Sequence, residues 1–190
     1  INPPFLYNSR DTIVWLAEFG ENEKVISVSK ALAKFLRLSL HGGSDVTTVG
    51  DELDQVRQYL FIQKQRYEDK LSYEISVDKN LMNINMPKLL IQPIVENSIK
   101  HGIRNLDKNG LVRISGWKSQ EKLFLMVEDN GVGFDTSNGV FNTQKKKHGG
   151  LGLHNVEERI RLYYGKEYGL NIESMPGKGT RVTLRISTCL

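Results

Sequence analysis

Apolar residues recur at two different periods along this chain, and the change of period divides it. Residues 24–40 place Val25, Val28, Leu32, Phe35, Leu36 and Leu40 near the three- and four-residue steps of an amphipathic helix. Residues 11–19 form a shorter helical stretch with Ile13, Val14, Leu16 and Ala17 on or near one face, broken by Gly20-Glu21-Asn22. His41-Gly42-Gly43-Ser44-Asp45 stops the second helix, since glycine ends helices and invites a turn. A third helix is predicted over 49–67, with Leu53, Val56, Leu60 and Gln63 on one stripe. Long helices joined by short breaks predict an antiparallel helical hairpin of the kind that dimerises.

Beyond Glu68-Asp69-Lys70 the period falls to two. Leu71, Tyr73, Ile75 and Val77 alternate with polar residues, as in a half-buried strand. A helix is predicted over 87–100, with Pro87 in its first turn, where a missing N–H costs nothing. Strands follow over 111–118 and 122–129, then a glycine-rich segment over 131–152 and a helix over 153–164. Two last strands, 169–174 and 180–187, form a hairpin around Met175-Pro176-Gly177-Lys178-Gly179. Strands that pair as hairpins, without regular crossover helices, predict the α+β class. The expected architecture is a helical hairpin followed by a two-layer sandwich, a mixed or antiparallel sheet packed on helices.

Charge sharpens this division. Across 190 residues, 26 Lys and Arg against 22 Asp and Glu give +4. Residues 1–67 hold 8 of each sign, so the surplus of 18 over 14 lies entirely in 68–190. That excess suits a polyanionic ligand in the second part and is too small for a nucleic-acid surface. The single cysteine, Cys189, excludes a disulfide framework and a cysteine-rich zinc site, and fits a reducing compartment. No apolar run approaches the roughly 18 residues of a membrane span. The chain opens at Ile1-Asn2-Pro3-Pro4 without a Met or a basic-then-apolar leader, and is expected to be a fragment of a longer protein.

Candidate chemistry gathers in four segments of the second part. Glu96-Asn97-Ser98-Ile99-Lys100-His101-Gly102 ends a helix, and the step from Asn97 to Lys100 puts an amide oxygen and an ammonium on one face. The first is a hard ligand suited to Mg²⁺ and the second a phosphate partner. Asp129-Asn130-Gly131-Val132-Gly133-Phe134 sets a carboxylate at a strand end, followed by glycines that let backbone approach a flat ligand. Gly149-Gly150-Leu151-Gly152-Leu153 opens a helix whose free N–H groups can cradle phosphate. Gly177-Lys178-Gly179-Thr180 offers a hydroxyl in a turn. Taken singly, each is a common turn or helix end; their order is what carries information. Lys145-Lys146-Lys147-His148 is a charge run open to two readings, a solvated loop or a phosphate-facing lid. Neither a Walker nor a dinucleotide-binding pattern occurs.

In that order the four segments resemble the asparagine box and glycine boxes of the GHKL ATPase superfamily. The likeness extends through Asn2-Pro3-Pro4-Phe5-Leu6-Tyr7-Asn8, Tyr59-Leu60-Phe61-Ile62-Gln63-Lys64-Gln65-Arg66-Tyr67 and Pro87-Lys88-Leu89-Leu90-Ile91-Gln92-Pro93 to the LytS/YehU-type sensor histidine kinases. It implies a dimerisation and phosphoacceptor-like region over 1–67 and an ATP-binding domain of the Bergerat fold over 68–190. It implies ATP and Mg²⁺ as cofactors, with Asn97 as metal ligand and Lys100 on phosphate. His101 would sit near adenine, and Asp129 would accept the adenine amino proton. Gly131 and Gly133 would pass close to the base. Gly150, Leu151, Gly152 and Leu153 would meet the phosphates, and Thr180 would support the Asp129 end. Glu96 joins Asn97 as a candidate catalytic residue, either assisting deprotonation of a nucleophile or holding the helix end.

The implied partners are a second copy of the chain and a response regulator of the LytTR type, with no nucleic acid and no membrane contact within these residues. The implied setting is the cytoplasmic part of a bacterial membrane receptor. One position departs from the pattern. Where the family has a histidine after Asn-Pro, this chain has Pro4, which carries no nucleophilic nitrogen. Self-phosphorylation at that position is therefore not expected, and the open readings are a kinase carrying a substitution, a degenerate non-catalytic adaptor, or an error in the sequence.

Overall fold

A computed structural model describes residues 3–40, 44–104, 106, 109–136 and 150–190, the side chains of 150 and 151 excepted. Three helices lead: α1 (Pro3–Glu18), α2 (Asn22–Leu40) and α3 (Val49–Tyr67), with a short strand β1 (Val46–Thr48) before the third. The Thr48 hydroxyl caps α3 by accepting the Asp51 N–H at 3.1 Å and donating to the Asp51 carboxylate at 3.0 Å. Phe5 packs against Phe35 with ring centroids 4.9 Å apart, and against Tyr59 at 4.8 Å, so one aromatic cluster joins the three helices. With the turn near Gly20, contact between residues 5 and 35 makes α1 and α2 antiparallel, as the sequence predicts.

α1 begins eight residues before its predicted start. Pro3 and Pro4 occupy its first turn, and its buried stripe is Phe5, Ser9, Thr12 and Leu16. Two of those four are polar, which hides the helical period. The Ser9 and Thr12 hydroxyls return their hydrogen bonds to the Phe5 and Asn8 carbonyls, at 2.7 and 2.9 Å, and so enter the packed face without unpaired groups.

The second part is a five-stranded sheet in the order β2-β4-β5-β7-β6, formed by β2 (Leu71–Val77), β4 (Gly110–Ser119), β5 (Lys122–Asp129), β6 (Gly169–Met175) and β7 (Gly179–Ser187). β2 runs parallel to β4, and the other neighbours are antiparallel. The sheet is thus mixed, and the fold is the α+β sandwich expected. Among the described residues β3 (Asn85–Pro87) pairs only with β1. Helix α5 (Gly150–Tyr164) and α4 (Gln92–Asn97), which widens into a π-helical turn over Ser98–Ile103, cover one face of the sheet. Inward-facing Val112, Ile114, Leu123, Leu125, Val127, Val182, Leu184 and Ile186 meet Ile94, Val95, Ile99, Val156 and Ile160 in one core, continuous with Leu53, Val56 and Leu60 of α3.

The helix predicted over 87–100 is corrected here. Pro87 closes strand β3, and the helix starts only at Gln92, with Pro93 in its first turn. Between them Lys88 donates its N–H to the Asp45 carbonyl at 2.9 Å, and Leu89 takes a left-handed φ of 61°. Those residues are spent on linking elements, not on a helical turn. Among the described residues no helix is long and apolar enough to cross a membrane.

Candidate functional site

The π-helical turn after α4 and the end of β5 meet over a cavity of about 350 Å³. Asn97, Lys100 and His101 line it from the α4 side, Asp129, Gly133 and Phe134 from the strand end and its loop, Leu153 from α5, and Thr180 from β7. All four motif segments thus contribute to one cavity. A π-turn inserts one extra residue per turn, a feature frequent at functional sites. Ser98 and Gly102, four residues apart in this turn, both meet the Asp129 carboxylate.

Asp129 is buried at the floor of the cavity. Its Oδ1 accepts the Gly131 N–H at 3.0 Å. Burial pushes its pKa above the ordinary aspartate value, opposed by hydrogen bonds from the Ser98 hydroxyl and the Gly131 and Thr180 backbone. Thr180 stands directly across from Asp129 in the β5–β7 ladder, and its hydroxyl lies 2.9 Å from that of Ser174. Ser174 also accepts the Phe134 N–H at 2.9 Å, tying the loop after Asp129 to β6.

Two close approaches explain the glycines. A Cβ on Gly102 would stand 2.7 Å from Asp129 Oδ1, and one on Gly131 would overlap the Gly102 backbone. The Val132 N–H donates to the Gly102 carbonyl at 3.1 Å across the same contact. Gly133 has a φ of 59°, in the left-handed region that favours glycine.

Asn97 lies against the start of α5. Its Nδ2 is buried without a hydrogen-bond partner, and a Cβ on Gly152 would approach it to 3.2 Å. A half-turn of the amide exchanges nitrogen for oxygen at that place, so Asn97 can offer an oxygen to a hard cation. Among the described residues no cluster of three or more His, Cys, Asp or Glu could hold a metal. A cation bound beside Asn97 would therefore share its ligands with a phosphate-bearing substrate and water, which suits Mg²⁺. Gly150 and Leu151 contribute the first backbone turn of α5, the geometry that receives phosphate.

Glu96 does not line this cavity. It accepts a hydrogen bond from Gln92 Nε2 at 3.0 Å, one helical turn back. Pro4 is exposed in the first turn of α1, next to the buried Phe5. Lys145–Lys147, His148, Gly149, Asn2 and His41 lie outside the described residues. Sequence reasoning passed over Ser98, Gly102, Phe134 and Ser174. Ser98 and Gly102 are four residues apart and share one helical face, but nothing in the local pattern says that this face meets Asp129.

The sequence model for histidine kinases matches residues 1–71, and that for histidine kinase-, DNA gyrase B- and HSP90-like ATPases matches residues 83–188, more than half of the chain. The chain belongs to this ATPase family. Within it the relatives are sensor histidine kinases of the LytS and YesM type. The sensor histidine kinase YesM of Bacillus subtilis is 36% identical over 186 residues, covering 98% of this chain and 32% of YesM. Sensor histidine kinase BtsS of Escherichia coli is 33% identical, and sensor protein LytS of Staphylococcus haemolyticus 31%, with the same coverage. The chain thus spans about a third of the length of these relatives. Solved histidine kinases share the fold. The catalytic domain of ThkA superposes with a TM-score of 0.57 at 15% identity, covering 77% of this chain and 100% of that domain. AdeS of Acinetobacter baumannii gives 0.53 at 15% identity, covering 93% and 84%. Membership of the ATPase family implies ATP as the ligand class.

Proposed function

We propose that this chain is the catalytic part of a two-component sensor histidine kinase that binds Mg·ATP in the Asn97–Asp129 cavity. The observation that carries this reading is the convergence of Asn97, Lys100, Asp129 and Thr180 on one cavity in a chain of this family. In this reading Asp129 accepts the adenine amino proton and so distinguishes adenine from guanine, whose carbonyl would face the carboxylate. Gly131 and Gly133 keep backbone close to the base, while His101 flanks it. Asn97 holds the cation, Lys100 neutralises phosphate charge, and the first turn of α5, with Gly150, Leu151, Gly152 and Leu153, receives the phosphates. Bound Mg²⁺ would offset charge on the transferring phosphoryl group. Positioning and charge neutralisation then supply the catalysis, and the γ-phosphoryl passes to a histidine and on to a response-regulator aspartate.

Residues 1–67 serve as the dimerisation and phosphoacceptor-like region and 68–190 as the ATP-binding domain. Tyr7, Val14, Trp15 and Phe19 leave an apolar surface exposed along and just beyond α1, which supports a homodimer built on this helix. A response regulator of the LytTR type is the proposed acceptor, and the cytoplasmic side of a membrane receptor the proposed setting. Glu96, turned out of the cavity and bonded to Gln92, is read as holding the helix beside Asn97.

Isothermal calorimetry tests the nucleotide assignment. ATP with Mg²⁺ should bind, and GTP at least about tenfold more weakly, because a misplaced polar pair costs roughly 1–3 kcal/mol. Equal affinity for the two would remove Asp129 from the adenine site. A second reading, a nucleotide-binding adaptor without phosphoryl chemistry, is favoured by Pro4 alone. The two readings part on phosphoryl transfer once an imidazole stands at position 4.

A further inference from the structure

One fully buried carboxylate lies outside the cavity and bears on it. Glu52, on α3, is 1% exposed, and the hydrogen bonds to its carboxylate come from backbone N–H groups. Its Oε2 accepts the Leu89 N–H at 3.0 Å, and its Oε1 accepts the Ile91 N–H at 3.0 Å and the Gln92 N–H at 3.4 Å. These are the donors at the entrance to α4, which have no partner within the helix. The same short segment holds Leu89 at a φ of 61°, a conformation that side-chain-bearing residues seldom adopt without outside support. Arg159 of α5 donates to the Lys88 carbonyl at 2.9 Å in that segment. The segment over 88–91 is therefore where α3, α4 and α5 are fastened together.

We infer that Glu52 is a positioning residue for the phosphate end of the site, fixing the entrance of α4 so that Asn97 meets the cation in the right orientation. The inference rests on the reading of Asn97 given above. The far end of the same helical run is held independently, by the Ser98 bond to Asp129 and the Val132 N–H bond to Gly102. Asn97 lies between the two anchors. Loss of the Glu52 anchor frees the near end only, so the run can tilt about its fastened end. Asn97 then moves while the Asp129 floor, held by the β5–β7 ladder, stays in place. Arg159 extends the same dependence to α5, whose first turn receives the phosphates.

Calorimetric titration of the 190-residue chain with adenosine and with Mg·ATP separates the two ends of the site. Glu52→Gln replaces an acceptor oxygen with an amide donor that faces backbone N–H groups. It should weaken Mg·ATP binding by about tenfold and leave adenosine affinity within about twofold. If Glu52→Gln does not fold, Glu52→Asp, which keeps the charge but withdraws the oxygens, should show the same split. A folded variant with unchanged Mg·ATP affinity would overturn the inference, and so would an equal loss of both ligands, which is the signature of a merely structural role. Asn97→Ala serves as the control. If it lowers Mg·ATP affinity while the Glu52 variants do not, the role of Glu52 alone is refuted. If it leaves Mg·ATP affinity unchanged, the reading of Asn97 fails and this inference with it.

Discussion

Asp129→Asn should abolish measurable binding of adenine nucleotides, a loss of at least about a hundredfold. The carboxylate accepts hydrogen bonds from Ser98, Gly131 and Thr180 and retains, in the proposed complex, an acceptor position for the adenine amino group. An amide supplies one oxygen in place of two and turns N–H groups toward donors already in place. A charge-assisted hydrogen bond is worth about 1.5–3 kcal/mol, and leaving the opposing donors unpaired costs about 1–3 kcal/mol more. The sum, about 2.5–6 kcal/mol, spans upward from the roughly 2.7 kcal/mol that corresponds to a hundredfold change.

The raised pKa of Asp129 gives this prediction a second readout of opposite sign. Binding needs the ionised carboxylate, so affinity should fall as pH is lowered through the raised pKa, beginning above the ordinary aspartate range. Folding responds the other way. In the window between the ordinary and the raised pKa the folded chain holds more protons at this group than the unfolded chain does. Its contribution to stability therefore decreases as pH rises through the window and recovers as pH falls. In the ligand-free chain at neutral pH, Asp129→Asn should lower the Tm by no more than several degrees, since relief of the buried charge offsets part of the lost hydrogen bonding. A variant that binds ATP as the parent chain does would refute the pocket assignment. A large drop in Tm would assign the loss of binding to unfolding instead.

The second large effect is a gain. With γ-labelled ATP and Mg²⁺, the chain as it stands should incorporate no label at residue 4, and Pro4→His should. Phe5 is 4% exposed and fixed between Phe35 and Tyr59, which holds the first turn of α1 in place. The neighbouring residue 4 faces solvent. An imidazole there has a nucleophilic nitrogen presented from an ordered turn, whereas proline has none. In the transfer, the bond from the γ-phosphorus to the bridging oxygen of ADP breaks as the bond to nitrogen forms. Label on the unaltered chain at residue 4 would refute the reading of Pro4.

Much of this was legible in the sequence. The alternation of Leu71, Tyr73, Ile75 and Val77 marked β2, and both hairpins fell within a residue of their predicted ends, because period-two burial is a local signal. The order of the glycine segments located the cavity before any geometry did. What escaped was determined by long-range bonds. The first turns of α1 were hidden because Ser9 and Thr12 occupy its buried stripe, their hydroxyls satisfied within the helix. The helix predicted from Pro87 begins later because the residues before it answer to Asp45 and Glu52, more than thirty positions away. Glu52 left one trace, an acidic residue beside the apolar stripe of α3. The convergence of Ser98 and Gly102 on Asp129 left none, since it depends on a long-range contact with the end of β5.

The most direct test of the whole account compares Pro4→His with the double variant Pro4→His, Asp129→Asn, each incubated with γ-labelled ATP and Mg²⁺ and mapped by peptide. The account predicts acid-labile label at residue 4 in the single variant and none in the double. No label in a folded, ATP-binding Pro4→His chain would leave a nucleotide-binding adaptor in place of a kinase. Equal label in both variants would place the chemistry outside the Asp129 site.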